Sequence, residues 1–242
     1  MAFEPKRFQT ETHCEEIGRR RAATARENGK SGGQMSELYR SIMGEVAGQV
    51  GDIAKELGTD EETAAGAIGT AVPLMIGGLS RLASSSDEGA LALFDALEKE
   101  EEEEEEKGFF GNMASLLTSP LALAAGGMLV NRMFGGRKGP IEAGLSSAFG
   151  LGRRESGNLF LALTPVVLGT LRRHKRQKRL DSAGVADLLR REEREIREES
   201  KELDGLLGVF DRDDDGGVLD DVAKMGAAVV GAGIVAKMFK RD

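Results

Sequence analysis

The chain has 242 residues, enough for one domain or two small ones, and 40% of them are apolar. A net charge of −8 argues against nucleic acid as a default partner, and a single cysteine, Cys14, excludes an internal disulfide and fits a reducing compartment. With no Trp, one Tyr and 33 Gly, the core must come from Ala, Leu, Met and glycine, which points to small, closely packed helices.

Residues 1–34 are polar, charged and aperiodic, and are expected to be a disordered leader. An alternative start at Met35 would make them an upstream extension. The tripeptide Gly29-Lys30-Ser31 does not make a phosphate loop, because Thr24 stands where the leading glycine belongs. The N-terminal segment lacks the apolar core of a signal peptide. The long apolar run 111–130 is interrupted by Pro120 and several polar residues, whereas a spanning helix wants about 20 predominantly apolar ones. The expected location is therefore cytoplasmic.

From Met35 the pattern is helical. Leu38, Ile42, Val46, Val50, Ile53 and Leu57 form one stripe at spacings of three and four. Gly58 is placed to close that helix in a left-handed cap. Thr59 to Glu62 reads as a capping box that opens the next helix. Its stripe is Ala64, Ile68, Ala71, Val72, Met75 and Leu79, and Pro73 predicts a kink in it. Ser84 to Asp87 reads as a turn and cap before a short helix over 88–97. Seven consecutive glutamates, Glu100 to Glu106, repel one another and read as a solvated linker. Ser119-Pro120 resembles a helix start, with Gly135-Gly136 as its stop. A short helix over 140–149 follows.

The segment 149–173 then repeats 57–81 at an offset of 92. Gly58 meets Gly150, Ile68 meets Phe160, Pro73 meets Pro165, Gly77 meets Gly169, Leu79 meets Leu171 and Arg81 meets Arg173. An Asp-led short helix follows each copy. One helix–kinked helix–short helix unit is thus expected twice, packed as a pseudo-symmetric pair.

The run 172–179 carries six Lys and Arg. It reads as a solvated helix end whose cations suit the helix C-terminus. The sharper reading is a nucleic-acid or membrane patch, but no aromatic residues for base stacking lie nearby. Residues 188–207 pair opposite charges at helical spacing, as in Glu193 with Arg197, and read as an exposed helix.

The one chemically specific stretch is Phe210 to Asp221, with six aspartates in twelve residues. Calcium takes six to eight oxygens, and an EF-hand loop offers them from alternating positions with glycine at the sharp turn. Asp211, Asp213 and Asp215 fall on positions one, three and five, Gly216 on six, and the Gly217 carbonyl on seven. Position twelve is Val222 instead of Glu, so Asp220 or Asp221 would have to close the shell. The plain alternative is an acidic helix cap, with Asp220 and Asp221 meeting the positive end of the helix that follows. That helix, 222–239, is apolar nearly all round.

No constellation of nucleophile, base and orienting group is visible, and none of the common catalytic motifs occurs, so the chain is read as non-enzymatic. The entry at Leu57 to Ala64, the proline–glycine–leucine blocks at Pro73 to Leu79 and Pro165 to Leu171, the run Leu180 to Leu189 and the closing Gly205 to Val222 together resemble the bacterial domain of unknown function family 937, akin to the YidB-like proteins. The resemblance covers about residues 35 to 235. It implies an all-helical fold and no reaction. The family's usual aspartate tail is matched by Asp211, Asp213, Asp215 and Gly216, with Gly217 in place of its Ser.

These readings give an all-α chain. Its expected divisions are a leader (1–34), a first helical unit (35–97), an acidic linker (98–112), a second unit (113–190), a charged helix (191–209) and a calcium-loop-like turn with its helix (210–242). The expected role is an interaction protein, binding an unidentified protein or itself, with Ca2+ as ligand of Asp211, Asp213, Asp215, Gly217, Asp220 and Asp221. The alternatives are peripheral membrane association through the glycine-rich helices near 121–134 and 222–239, and, less favoured, nucleic-acid binding through 172–179.

Overall fold

The computed structural model describes residues 36–85, 91, 93–98, 120–199, 201, 204, 207 and 208. All regular structure in them is helical. The helices are α1 (Glu37–Val46), α2 (Val50–Leu57), α3 (Glu61–Ser85), α4 (Pro120–Phe134), α5 (Lys138–Phe149), α6 (Arg153–Lys178) and α7 (Ser182–Glu199). Short 3-10 turns, Ala47–Gln49 and Gly135–Arg137, join α1 to α2 and α4 to α5. Residues 93–98 form a further helical stretch. The acidic run 99–107 and the tail 209–242 lie outside the described residues.

The N-terminal stripe is buried as expected: Leu38, Ile42, Val46, Val50, Ile53 and Leu57 all lie in the core. It does not belong to one continuous helix, because the turn Ala47–Gln49 divides it. A stripe survives such a break when the 3-10 turn rotates the second helix only slightly off the first, since the two helix types differ little in residues per turn. Gly58 ends α2 at φ +66°, where a side chain would be strained. Its N–H bonds the Lys55 carbonyl and the Thr59 N–H bonds the Ala54 carbonyl, the paired closure that left-handed caps make. The start of α3 is one residue later than the expected box. Asp60 is the cap, taking the Thr63 N–H at 2.8 Å and the Thr63 hydroxyl at 2.8 Å on its two carboxylate oxygens. A carboxylate offers each donor its own oxygen, which the single Thr59 hydroxyl could not, and those bonds hold the Asp60 carboxyl below its ordinary range.

The repeat extends beyond the aligned segment. In each copy a helix, a 3-10 turn, a second helix, a left-handed glycine and a long proline-containing helix follow in that order. Gly58 and Gly150 share φ +66°. The two long helices, α3 and α6, run through Pro73 and Pro165. The copies exchange contacts. Helix α7, which trails α6, packs most extensively on α3, and the 93–98 stretch, which trails α3, lays Phe94 and Glu98 against Lys175 of α6. Likewise α1 packs on α6 and α4 on α3. Both copies therefore share one core, in which Ile68 and Phe160 are each fully buried.

Candidate functional site

A cluster of paired titratable side chains lies where the basic run meets α1 and the 93–98 stretch. Helices α1 and α6 run antiparallel there, so successive acids of α1 meet successively earlier residues of α6. Glu37 accepts from the Lys178 ammonium at 2.8 Å, and its other oxygen lies 3.6 Å from His174 Nε2. Two turns further on, Glu45 pairs with the Arg173 guanidinium and accepts the Thr170 hydroxyl at 2.9 Å. His174 Nδ1 lies 3.0 Å from the Thr170 carbonyl. A carbonyl only accepts, so that nitrogen carries the proton, and Nε2 is the one that faces Glu37. Lys175 lies 4.2 Å over the Phe94 ring and 3.6 Å from Glu98.

The run is thus the solvated helix end expected from sequence only over 176–179. Arg172 is fully buried and His174 nearly so, while Arg176 and Arg179 remain exposed. The cause is position. Helix α6 passes through the middle of the fold, so its C-terminal turns still have neighbours on two sides. The run closes at Arg179, which takes the left-handed conformation at φ +51° that the sequence did not suggest for an arginine. Its N–H and that of Leu180 bond the carbonyls of Arg176 and Lys175.

The charged helix α7 also departs from expectation. Val185, Leu188, Leu189, Glu192 and Ile196 form a buried face, and only the opposite face is the solvated one. Glu193 and Arg197 pair at 2.9 Å, as their spacing suggested. Glu192 is 1% exposed and accepts the Leu38 N–H at 3.0 Å. Ser36, the residue before α1, makes no side-chain cap. The first turn of α1 is therefore capped from α7, across 154 positions of sequence. One signal could have found Glu192: it occupies the apolar phase of α7, three residues after Leu189 and four before Ile196. Close by, burial raises the Tyr39 hydroxyl above its ordinary pKa of 10, and the Glu199 carboxylate adds to the effect. Burial raises Glu199 itself, and Arg40 partly opposes it.

Glu37 shows how the pairing couples to pH. Its hydrogen bond to Lys178 is the main cause that lowers its pKa below 4.5, opposed by burial and aided by the charges of Lys178, His174 and Arg191. An acid lowered in the folded state stabilises the fold above its unfolded pKa, and loses that contribution as pH falls through the folded value. Glu37→Gln is expected to melt below the native chain at pH 7. The gap should close as the pH drops from 4.5 through the lowered folded value. A gap unchanged by acid would show that the carboxylate charge is not what matters.

Of the sequence-derived calcium ligands, Asp211, Asp213, Asp215, Gly217, Asp220 and Asp221 all lie outside the described residues. Among the described residues no three His, Cys, Asp or Glu gather closely enough to hold a metal ion. Helix α3 is long and apolar enough to cross a membrane, over Glu61–Ser84, but 89% of its most apolar window is buried in the fold.

Fold and site define an all-helical protein built from an internal repeat, in which cations of the basic run join its helices to one another. The chain belongs to a bacterial family of unknown function: the family model described as "Bacterial protein of unknown function (DUF937)" matches residues 40–174, more than half of its length. The match spans α1 to the basic run and ends before α7 and the aspartate tail. Among curated proteins and among solved structures, no match was found.

Proposed function

We propose that this chain is a non-enzymatic helical interaction protein whose aspartate tail binds calcium. The observation that carries the interaction reading is the fate of the basic run. Catalytic groups must face a space that a substrate can enter. Here Arg173, His174, Lys175 and Lys178 are turned onto Glu45, Glu37, Glu98 and the Phe94 ring instead. Charged groups spent on joining helices make a rigid scaffold and leave little for chemistry. The calcium reading rests on the spacing of Asp211, Asp213 and Asp215 before Gly216 and Gly217, with Asp220 or Asp221 closing the shell.

Calorimetric titration of the full chain with calcium tests the second part. Saturable binding is expected in the native chain and not in the Asp211→Ala, Asp213→Ala double variant. Heats that stay at dilution level up to millimolar calcium would reduce the stretch to an acidic helix cap. Sedimentation across a concentration series, with calcium and with EDTA, tests the first part. Self-association that calcium strengthens is the expected result. A chain that stays monomeric throughout would remove self-association as the interaction.

A further inference from the structure

A cleft of about 280 Å³ opens between α4, α5 and α6, at the opposite end of α6 from the basic run. Val130 and Leu161 give it an apolar wall, and Gly127 and Gly157 keep it open by having no side chain there. Asn131 and Asn158 line it as neutral hydrogen-bonding groups. Its charges are Lys138, Arg153, Arg154 and Glu142. Lys138 and Glu142 pair with each other at 3.1 Å, which leaves the two guanidiniums in excess.

Those two arginines are placed against local rules. They are the first two residues of a 26-residue helix, where the aligned peptide dipoles disfavour cations. Both are exposed, and neither side chain has an ion pair or hydrogen bond among the described residues. The cations at the other end of the same helix are favourably placed, and Arg173, Lys175 and Lys178 are each matched to a carboxylate. Glu155 gives local relief at the N-terminal end, its carboxylate folding back against Gly152. Two guanidiniums without a carboxylate partner at the mouth of a cleft suit an anionic ligand. Guanidiniums match the oxygens of a phosphate in paired hydrogen bonds, more closely than an ammonium does.

We infer that this cleft binds a small phosphate-bearing anion, held by Arg153 and Arg154 with its remaining atoms along Leu161 and the two asparagines. The volume is near the lower end for small-molecule sites and suits a compact phosphate ester. The phosphate could belong to a soluble ester or to a lipid headgroup, and the same two arginines would hold either.

The full chain would be titrated with pyrophosphate by calorimetry, and separately mixed with phosphatidylcholine vesicles with and without phosphatidic acid. The double variant Arg153→Gln, Arg154→Gln would be run beside it. Saturable pyrophosphate binding, weakened at least tenfold in the variant, is expected and identifies a soluble source. Arginine-dependent binding to phosphatidic-acid vesicles alone also supports the site and assigns the phosphate to a lipid. Binding of neither probe overturns the inference. So does equal weakening in Arg176→Gln, Arg179→Gln, which would mean general attraction to the chain's cations. Misfolding is checked by melting without ligand, where removing cations from a helix N-terminus should leave the variant at least as stable as the native chain.

Discussion

Phe160→Ala is expected to destabilise the chain by about 3–5 kcal/mol, the usual cost of emptying a buried aromatic site. At about 2–4 °C per kcal/mol for a chain of this size, the melting temperature should fall by roughly 6–20 °C. The ring is fully buried in the N-terminal third of α6. It meets Phe134 of α4 edge to face, with centroids 4.8 Å apart and planes at 62°. Such aromatic pairs add about 0.5–1.5 kcal/mol beyond the area they bury. The site cannot collapse easily, because α6 is held on both sides, by α1 through the Glu45 and Glu37 pairs and by α4 and α5. Phe160→Leu keeps most of the volume and should cost clearly less. Met128→Ala, at a side chain 62% exposed on α4, should change little. Thermal melts of the three variants decide the matter. If Phe160→Ala melts no lower than Met128→Ala, the shared core is misplaced.

How much of the fold is legible in the sequence follows from what each residue announces. Ile68, Val72 and Leu79 announce a buried face by type and spacing together, so α3 can be read from its residues alone. Gly58 and Gly150 announce left-handed turns, and their alignment carries the repeat. Pro73 and Pro165 mark the matching long helices. The exchange of packing between copies is not legible, because side-chain type says what is buried and not against which neighbour. Arg172 and Glu192 mislead for a related reason. A charged residue announces solvent, and for Glu192 it is a donor on another helix, the Leu38 N–H, that makes burial tolerable. The expected capping box misplaces the start of α3 by one residue, because Thr59 and Asp60 are both good caps and the choice between them depends on Thr63 offering two donors to one carboxylate. The aspartate tail is the reverse case. Its sequence is explicit, and Asp211 to Asp221 lie outside the described residues.

Glu192 allows the sharpest test of how α7 joins the first copy. Its carboxylate accepts the Leu38 N–H at 3.0 Å, in a place from which water is excluded. Removing the acceptor leaves a buried backbone donor unsatisfied, which costs about 1–3 kcal/mol, and truncation leaves a void besides. A negative charge near a helix N-terminus is worth up to about 2 kcal/mol in a partly buried setting, and α1 would lose that as well. Burying the carboxylate itself is unfavourable, and the variant is relieved of that cost. The net expectation for Glu192→Ala is a loss of about 2–3 kcal/mol, read by denaturant titration. Glu192→Gln keeps a carbonyl acceptor in the same place, loses only the charge, and should fall between Ala and the native chain. That ordering separates the cap from simple packing. Were Glu192→Leu as stable as the native chain while Glu192→Gln was not, the residue would be filling space, and the first turn of α1 would take its stability from Leu38 and Tyr39 against the core. If the order is native, Gln, Ala, the carboxylate is what fixes α7 onto the start of the first copy, and the two halves of the repeat are joined by a hydrogen bond as well as by a shared apolar core.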